Sequence, residues 1–72
     1  MNEYIDVAVP VGVRKTFAYS VPHEFRERIT TGMRVLVPFG RKLVTGYVVG
    51  ILDEAQIGSF KLRAVRELLD PE

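Results

Sequence analysis

The chain has 72 residues, of which 47% are hydrophobic and 26% are charged, a balance that allows a folded core. A domain of this size buries about 60% of the surface that its unfolded chain exposes. Such a small core argues against a multistep enzyme with its own cofactor site and favours a binding module or one domain of a longer protein. Ten Lys and Arg residues against nine Asp and Glu residues give a net charge of +1, so any basic binding site must be local.

Residues that commonly carry catalysis or bind metals are scarce. The chain has no cysteine, and His23 is its one histidine, so it offers neither a disulfide framework nor a zinc site. It has no P-loop pattern for ATP, and neither Ser20 nor Ser59 lies in a G-x-S-x-G elbow. We therefore predict that this chain is not an enzyme and holds no metal or cofactor. It also lacks a long apolar run or a signal-peptide pattern, so we expect a cytoplasmic protein without a membrane partner.

Two segments near the N-terminus alternate apolar and polar residues, which predicts strands in residues 4–10 and 16–21. In each segment three apolar residues share one face: Ile5, Val7 and Val9 in the first, and Phe17, Tyr19 and Val21 in the second.

A helical segment and a third strand are predicted next. Residues 22–29 predict one or two helical turns, because Pro22 suits the first helical position and Phe25 and Ile29 are four residues apart. Residues 33–38 predict a strand that ends at a sheet edge or a bend, since Pro38 has no amide hydrogen for a central ladder.

The second half of the chain predicts a central strand and then an ambiguous segment. Residues 43–52 are the longest β-branched run and predict the central, most curved strand, in which Gly46 and Gly50 indicate bulges or close backbone approaches. Residues 53–59 predict a polar loop. Residues 60–69 fit a helix slightly better than a strand by periodicity alone. We assign residues 1–70 to one domain and residues 71–72 to the start of a linker.

Two basic pairs lie beside aromatic residues, in residues 14–17 (Arg-Lys-Thr-Phe) and 39–42 (Phe-Gly-Arg-Lys). Cations next to rings suit a phosphate backbone with bases stacked on the rings. The same residues also suit an aromatic core strand and solubilising charge at a hairpin tip, so this pattern alone leaves nucleic-acid binding open.

Five segments, spread in order over nearly the whole chain, form a more specific pattern. They are residues 7–11 (VAVPV), 15–22 (KTFAYSVP), 32–42 (GMRVLVPFGRK), 45–49 (TGYVV) and 61–65 (KLRAV), the last followed by Leu69 and Asp70. Together they resemble the N-terminal DNA-binding domain of the PriA family, the bacterial replication-restart helicases also called primosomal protein N′. The most specific part is Gly-x-Arg-Val-x-Val-Pro-Phe-Gly followed by a basic pair and Gly-x-Val-Val.

We therefore predict a mainly β fold, a small curved antiparallel sheet that is partly barrel-like, with five or six strands and one short helix after Val21. The resemblance implies a strand, rather than a helix, within residues 60–69. It also implies a DNA-binding module that recognises the 3′ end of the nascent leading strand at stalled replication forks. In that family the module belongs to an ATP-dependent 3′–5′ DNA helicase, and the ATP, Mg²⁺ and zinc sites are expected only in its other domains.

The pocket residues of that family, carried over to this sequence, are Phe17, Ala18, Gly40 and Arg63. The resemblance implies that Phe17 packs on the terminal base or sugar, that Gly40 lets the main chain reach the nucleotide, and that Arg63 meets a phosphate. Ala18 stands where the family motif has Asp, and a methyl group cannot accept a hydrogen bond from a 3′-hydroxyl as a carboxylate can. Weaker phosphate contacts are expected from Lys15, Arg41, Lys42 and Lys61.

The expected partners are single-stranded or forked DNA with a 3′ terminus, the rest of the helicase chain, and other primosome and single-strand-binding proteins, in the bacterial nucleoid. The alternative is a β-barrel protein-interaction module that uses Phe39, Tyr47 and an open strand edge to dock a partner or its own helicase core, without DNA-end specificity. Binding that weakens as salt rises would favour DNA, and salt-insensitive affinity for a protein would favour the alternative.

Overall fold

One antiparallel sheet of five strands organises the chain in the computed structural model, which describes residues 2–10, 12, 15–58 and 61–70. The strands are β1 (Tyr4–Ala8), β2 (Thr16–Ser20), β3 (Arg34–Phe39), β4 (Lys42–Leu52) and β5 (Glu67–Leu68), in the spatial order β2-β1-β4-β3-β5. A 3-10 turn covers His23–Phe25, and a short helix, α1, covers Glu54–Ile57. The sheet is open, and the mainly β prediction with five strands is confirmed.

One face of the sheet carries the core. Its almost completely buried side chains come from β1 (Ile5 and Val7), β4 (Val48) and β3 (Val35 and Val37). Branched side chains at alternate strand positions explain this packing, because positions two apart lie on the same face. The predicted inward positions of residues 4–10 and 16–21 are confirmed, except that Phe17 is half-buried at the margin of the core.

The central strand β4 is irregular at the glycines, as predicted. Asp6 pairs with Gly50 while Val7 pairs with Val48, so one extra residue of β4 lies opposite the Asp6–Val7 step as a bulge. At Gly46 a Cβ would lie 2.5 Å from Val7 Cγ1 and 2.8 Å from the Ala8 carbonyl oxygen. The backbones of β1 and β4 therefore approach each other at a distance that only glycine permits.

The final segment connects the two edges of the sheet. The Ser20 amide donates to the Arg63 carbonyl oxygen at 3.0 Å, and the Val65 amide donates to the Ser20 carbonyl oxygen at 2.9 Å. At the next residue the chain reaches β3, where the Arg66 amide donates to the Leu36 carbonyl oxygen at 2.8 Å. The slight helical preference that periodicity alone gave to residues 60–69 is wrong over 61–69, because the backbone groups there bond to strands on both sides. The strand that the resemblance implied in this segment is confirmed as β5; Phe60 lies outside the described residues.

An ion pair fastens this segment to β3. Asp70 accepts hydrogen bonds from the Arg34 amide at 2.7 Å and from Arg34 Nε at 2.9 Å, and Arg34 Nη2 lies 2.8 Å from its Oδ1. The side-chain hydrogen bond from Arg34 holds the pKa of Asp70 below its usual value. At a pH above the ordinary carboxyl pKa, this pair contributes its full stability. That stability is lost as the pH falls through the lowered pKa of Asp70 in the folded state.

The one or two helical turns predicted for residues 22–29 are present. His23–Phe25 forms a 3-10 turn, extended by bonds from the Arg28 and Ile29 amides to the Phe25 carbonyl oxygen. The short α-helix, α1, forms in addition, within the predicted polar loop. Asp53 accepts from the Gln56 amide at 3.1 Å, and the Gln56 side chain accepts from the Asp53 amide at 2.8 Å, a capping box that the sequence contains.

Within the part of the chain that the structure describes, no helix is long and apolar enough to cross a membrane. The same residues contain no group of three or more His, Cys, Asp or Glu side chains that could hold a metal ion. Three further assignments from the sequence, the basic residue Arg14, the serine Ser59 and the linker at 71–72, lie outside the described residues.

Replacing Gly46 by Ala tests the close approach of β1 and β4. We expect Gly46→Ala to lower the free energy of unfolding by about 1–3 kcal/mol, because the new methyl group overlaps Val7 and the Ala8 carbonyl. Urea denaturation measures this change. Gly50→Ala is the matched control, since a Cβ there meets no atom within 4 Å, and we expect a change within about 0.5 kcal/mol. Equal effects of the two substitutions would contradict the packing described for Gly46.

Candidate nucleic-acid interface

A cavity of about 280 Å³ lies where β2, the end of β3 and residues 61–63 meet. Its lining residues are Phe17, Ala18, Tyr19, Pro38, Phe39, Gly40, Lys61, Leu62 and Arg63. The four main site residues of the sequence prediction and the auxiliary residue Lys61 are all among them. The lining contains two cationic side chains and no carboxylate, so the cavity attracts anions although the whole chain is almost neutral.

Two aromatic rings form one wall of this cavity. The ring centroids of Phe17 and Phe39 are 5.0 Å apart at an interplanar angle of 74°, an edge-to-face contact. Both residues are half-buried, packed against the core on one side and turned to the cavity on the other. Lys15 Nζ lies 5.9 Å from the Phe17 centroid. Exposed ring surface beside cations is the combination on which single-stranded nucleic acids stack.

The tight turn between β3 and β4 forms the opposite rim. Phe39 pairs with Lys42, so Gly40 and Arg41 make a two-residue hairpin loop in which Gly40 has a φ of +63°. A positive φ at the first loop position explains the glycine. The Gly40 carbonyl oxygen accepts a hydrogen bond from Arg63 Nη1 at 2.9 Å. Arg41 and Lys42 are exposed on this hairpin but do not line the cavity, so the structure does not bring these two predicted residues into it.

The backbone of Ala18 presents unpaired polar groups at the edge of β2 that faces away from β1. The Val21 amide bonds toward β1, at the Glu3 carbonyl oxygen, whereas the Ser20 amide and carbonyl bond toward residues 63–65. Because these directions alternate along a strand, the N–H and C=O of Ala18 point to the same edge as those of Ser20. No described residue pairs with them there. The site therefore offers one backbone donor and one acceptor at position 18, whatever the side chain is.

The methyl group of Ala18 faces away from the core, next to a carboxylate. Ala18 is directly opposite Asp6 on β1, in a pair that does not exchange backbone hydrogen bonds, so the two side chains lie close together on the outer face. Asp6 accepts a hydrogen bond from Thr16 Oγ1 at 2.9 Å. The family motif has a carboxylate at position 18. In this chain the residue opposite that position, Asp6, carries one.

A buried phenol supports the β3 end of the cavity. Tyr19 is 4% exposed, and its hydroxyl donates to the Pro38 carbonyl oxygen at 2.7 Å. Burial raises the pKa of this phenol above its ordinary value, while the nearby Arg63 cation acts in the opposite direction. From the sequence, Tyr19 was predicted only to be a core residue, and Pro38 only to end a strand. The spacing Phe-x-Tyr on one strand face was the available indication of a shared role.

Phe39 and Tyr47 do not share a surface, contrary to the docking alternative. Phe39 packs on the core face against Phe17, whereas Tyr47 lies opposite Arg34 on the outer face of the sheet. The reason is that side chains alternate between the two faces along a strand, so Phe39 lies on the same face as Val37 while Tyr47 lies on the other. The prediction that Pro38 lies at an edge is supported, since β5 pairs with β3 only at Val35 and Leu36 and no described strand pairs beyond them.

Two other depressions in the described residues have different linings. The larger, about 830 Å³, is lined by Asn2, His23, Glu24, Arg26, Glu27 and Arg28. Its charges are of both signs, and Arg26 is already bonded to the Val21 carbonyl oxygen at 2.9 Å. The other, about 370 Å³, carries Glu3, Asp53 and Glu54. Neither combines cations with exposed aromatic rings, so neither suits a nucleic-acid strand as well.

The open sheet and its basic, aromatic cavity are typical of a small β domain that binds nucleic acid. Sequence comparison gives the particular family. The chain matches the 3′ DNA-binding domain of PriA over residues 6–72 and belongs to that family.

Two curated relatives agree with this assignment. Replication restart protein PriA of Bacillus subtilis is 31% identical over 70 residues, which is 93% of this chain. Replication restart protein PriA of Buchnera aphidicola subsp. Schizaphis graminum is 31% identical over 68 residues, or 94% of this chain. The chain spans 9% of the length of each of these relatives. The resemblance stated from sequence motifs is thereby confirmed, and this DNA-binding domain corresponds to a small part of a longer protein in those organisms.

Replacing Ala18 by Asp tests the face assignment. We expect Ala18→Asp to lower the free energy of unfolding by about 0.5 kcal/mol at pH 7 and low salt, because it sets a second carboxylate directly opposite Asp6. The loss requires both carboxylates to be charged, so it is present at neutral pH and disappears as they become protonated at low pH. Thermal unfolding of Ala18→Asp and of the uncharged control Ala18→Asn measures this. Equal stabilities at pH 7 would contradict the pairing.

Proposed function

We propose that this domain binds the 3′ end of single-stranded DNA in the cavity, as the end-recognition module of a replication-restart helicase that acts at stalled forks. The observation that carries the proposal is the convergence on one cavity of an aromatic pair, two cations and unpaired backbone groups, from segments far apart in sequence. In this proposal Phe17 and Phe39 meet the terminal base or sugar, which stacks on their exposed ring surface.

The phosphates of the strand are held by cations around the rim. Arg63 uses one N–H on the Gly40 carbonyl oxygen, which fixes the guanidinium, and its remaining N–H donors are available for a phosphate. Lys61 lies in the same lining, and Lys15, Arg41 and Lys42 add weaker attraction from nearby positions. With so few phosphate contacts, the isolated domain is expected to bind weakly, in about the micromolar to millimolar range.

Selectivity for a free 3′-hydroxyl is assigned to the main chain, since Ala18 has no side-chain acceptor. A terminal hydroxyl can donate to the unpaired Ala18 carbonyl oxygen, whereas a terminal phosphate is mainly a dianion at neutral pH and so mostly lacks a proton to donate. One such hydrogen bond is worth about 1 kcal/mol, which corresponds to roughly fivefold in affinity. The resulting preference is modest.

The partners proposed beyond DNA follow from the length of the relatives, of which this chain covers 9%. Tethering to other domains would convert weak binding of the 3′ end into an intramolecular contact with high effective concentration. Those other domains, together with primosome and single-strand-binding proteins, are the protein partners that we propose. Helicase activity and its ATP, Mg²⁺ and zinc sites are assigned to the longer protein, and to no residue of this chain.

A second candidate function is docking to the rest of the longer protein through the outer face of β4. Leu43, Tyr47 and Val49 are 45%, 52% and 47% exposed there, which is unusual for an antiparallel sheet face turned to water. These side chains are uncharged, and the neighbouring Arg34 is already paired with Asp70, so binding through them would depend little on salt. Both functions fit one domain, because none of these three residues lines the cavity.

A fluorescence-anisotropy titration tests the DNA proposal. At low salt, we expect an oligonucleotide ending in a 3′-hydroxyl to bind about fivefold more tightly than the same oligonucleotide ending in a 3′-phosphate, because only the hydroxyl donates to Ala18. We expect Arg63→Ala to weaken both complexes and to reduce the salt dependence by about one phosphate contact.

Arg66→Ala, which removes the same charge from the same final segment but outside the cavity, is the matched control and should lower both affinities much less than Arg63→Ala does. Equal affinities for the two ends would limit the function to general DNA attraction. Absence of binding at every salt concentration would refute DNA binding by this domain and leave docking as its function.

A further inference from the structure

The Tyr19 hydroxyl joins two strands that are not neighbours in the sheet. Strands β1 and β4 lie between β2, which carries Tyr19, and β3, which carries Pro38. The 2.7 Å hydrogen bond between the phenol and the Pro38 carbonyl oxygen therefore crosses the interior from one side of the curved sheet to the other. Such a contact forms only when the sheet curls far enough to bring its two margins together, which is also the condition for the cavity to exist.

The backbone of Pro38 has no strand partner on its own side of β3. The backbone groups of Arg34 and Leu36 point away from β4, toward residues 66–70, so those of Pro38 point the same way, and its missing amide hydrogen costs the β3–β4 ladder no bond. Beyond Leu36 no described strand lies on the other side of β3. The carbonyl of Pro38 is bonded to Tyr19 and the carbonyl of Gly40 to Arg63, so residues 38–40 are held by two side chains from outside the β3–β4 hairpin.

The hydroxyl is a dependable donor. Tyr19 is buried, and burial raises the pKa of its phenol, so the proton stays on the oxygen across the physiological range. The ring itself would fill the core equally well as phenylalanine. The polar atom is therefore explained by its bond to Pro38, and a buried phenol is normally retained with its partner.

We propose that Tyr19 is a positioning residue of the DNA cavity, whose phenol holds residues 38–40 in the arrangement that receives the strand. This inference rests on the proposed function, because it concerns the same cavity. Tyr19 needs no contact with DNA: its effect passes through the Pro38 carbonyl to Phe39 and Gly40, which line the cavity directly. The binding site is thereby formed before DNA arrives, and DNA binding incurs no cost for ordering this turn.

Removing only the hydroxyl tests the proposal. We expect Tyr19→Phe to weaken binding of a 3′-hydroxyl oligonucleotide about threefold to tenfold, with the salt slope unchanged because every cation remains. Tyr47→Phe, which removes a hydroxyl from the exposed outer face, should bind as the wild type does. In a double-mutant cycle with Arg63→Ala, the losses should not be additive, because Tyr19 and Arg63 hold the same turn.

Simple destabilisation is separated from mispositioning by repeating the titrations in sucrose, which favours the folded state. If Tyr19→Phe only unfolds part of the protein, sucrose restores the wild-type affinity, and the proposal is overturned. A loss that persists in sucrose, with unchanged circular dichroism, supports it. The proposal is also overturned if Tyr19→Phe binds DNA as tightly as the wild type while Arg63→Ala still weakens binding. If the wild-type domain binds no DNA, the proposed function itself is refuted.

Discussion

The close contact of β1 with β4 at Gly46 is the constraint on which the rest of the structure depends. Without a side chain at Gly46, Val7 and the Ala8 carbonyl pack directly against β4. Together with the adjacent bulge, this approach lets a short open sheet curl until its margins face each other. Residues 61–70 then bond to both margins. A local steric property of one glycine thus contributes to the curl that brings the sides of the cavity together.

The candidate site is made of contacts between those margins. The ring pair Phe17–Phe39 and the bond from Tyr19 to Pro38 link β2 to β3, and Arg63 reaches the hairpin turn from the final segment. Charge is concentrated by this geometry, because two cations of an almost neutral chain meet in one small cavity. The affinity of so few contacts is low, which suits a module whose relatives belong to much longer proteins.

The sequence allowed much of this to be predicted, for identifiable reasons. Period-two alternation and β-branched residues identified the first four strands, and a steric reading of Gly46 identified the close approach. Pro22 and Phe25 indicated the helical turns after Val21, which form as a 3-10 turn, while the capping box at Asp53 was overlooked. Residues 61–69 were misread from periodicity, since their hydrogen-bond partners are distant in sequence. The role of Pro38 could not be predicted, because it depends on a partner across the sheet.

The most direct test of the account is an amide chemical-shift map of the domain titrated with a short oligonucleotide that ends in a 3′-hydroxyl. If the margins of the sheet form the binding site, the largest changes will occur at Ala18, Gly40 and residues 61–63, with Tyr47 and Val49 on the outer face unaffected. Changes concentrated on the outer face of β4, or around His23–Phe25, would contradict the account, because DNA would then bind a surface that the curl of the sheet does not create.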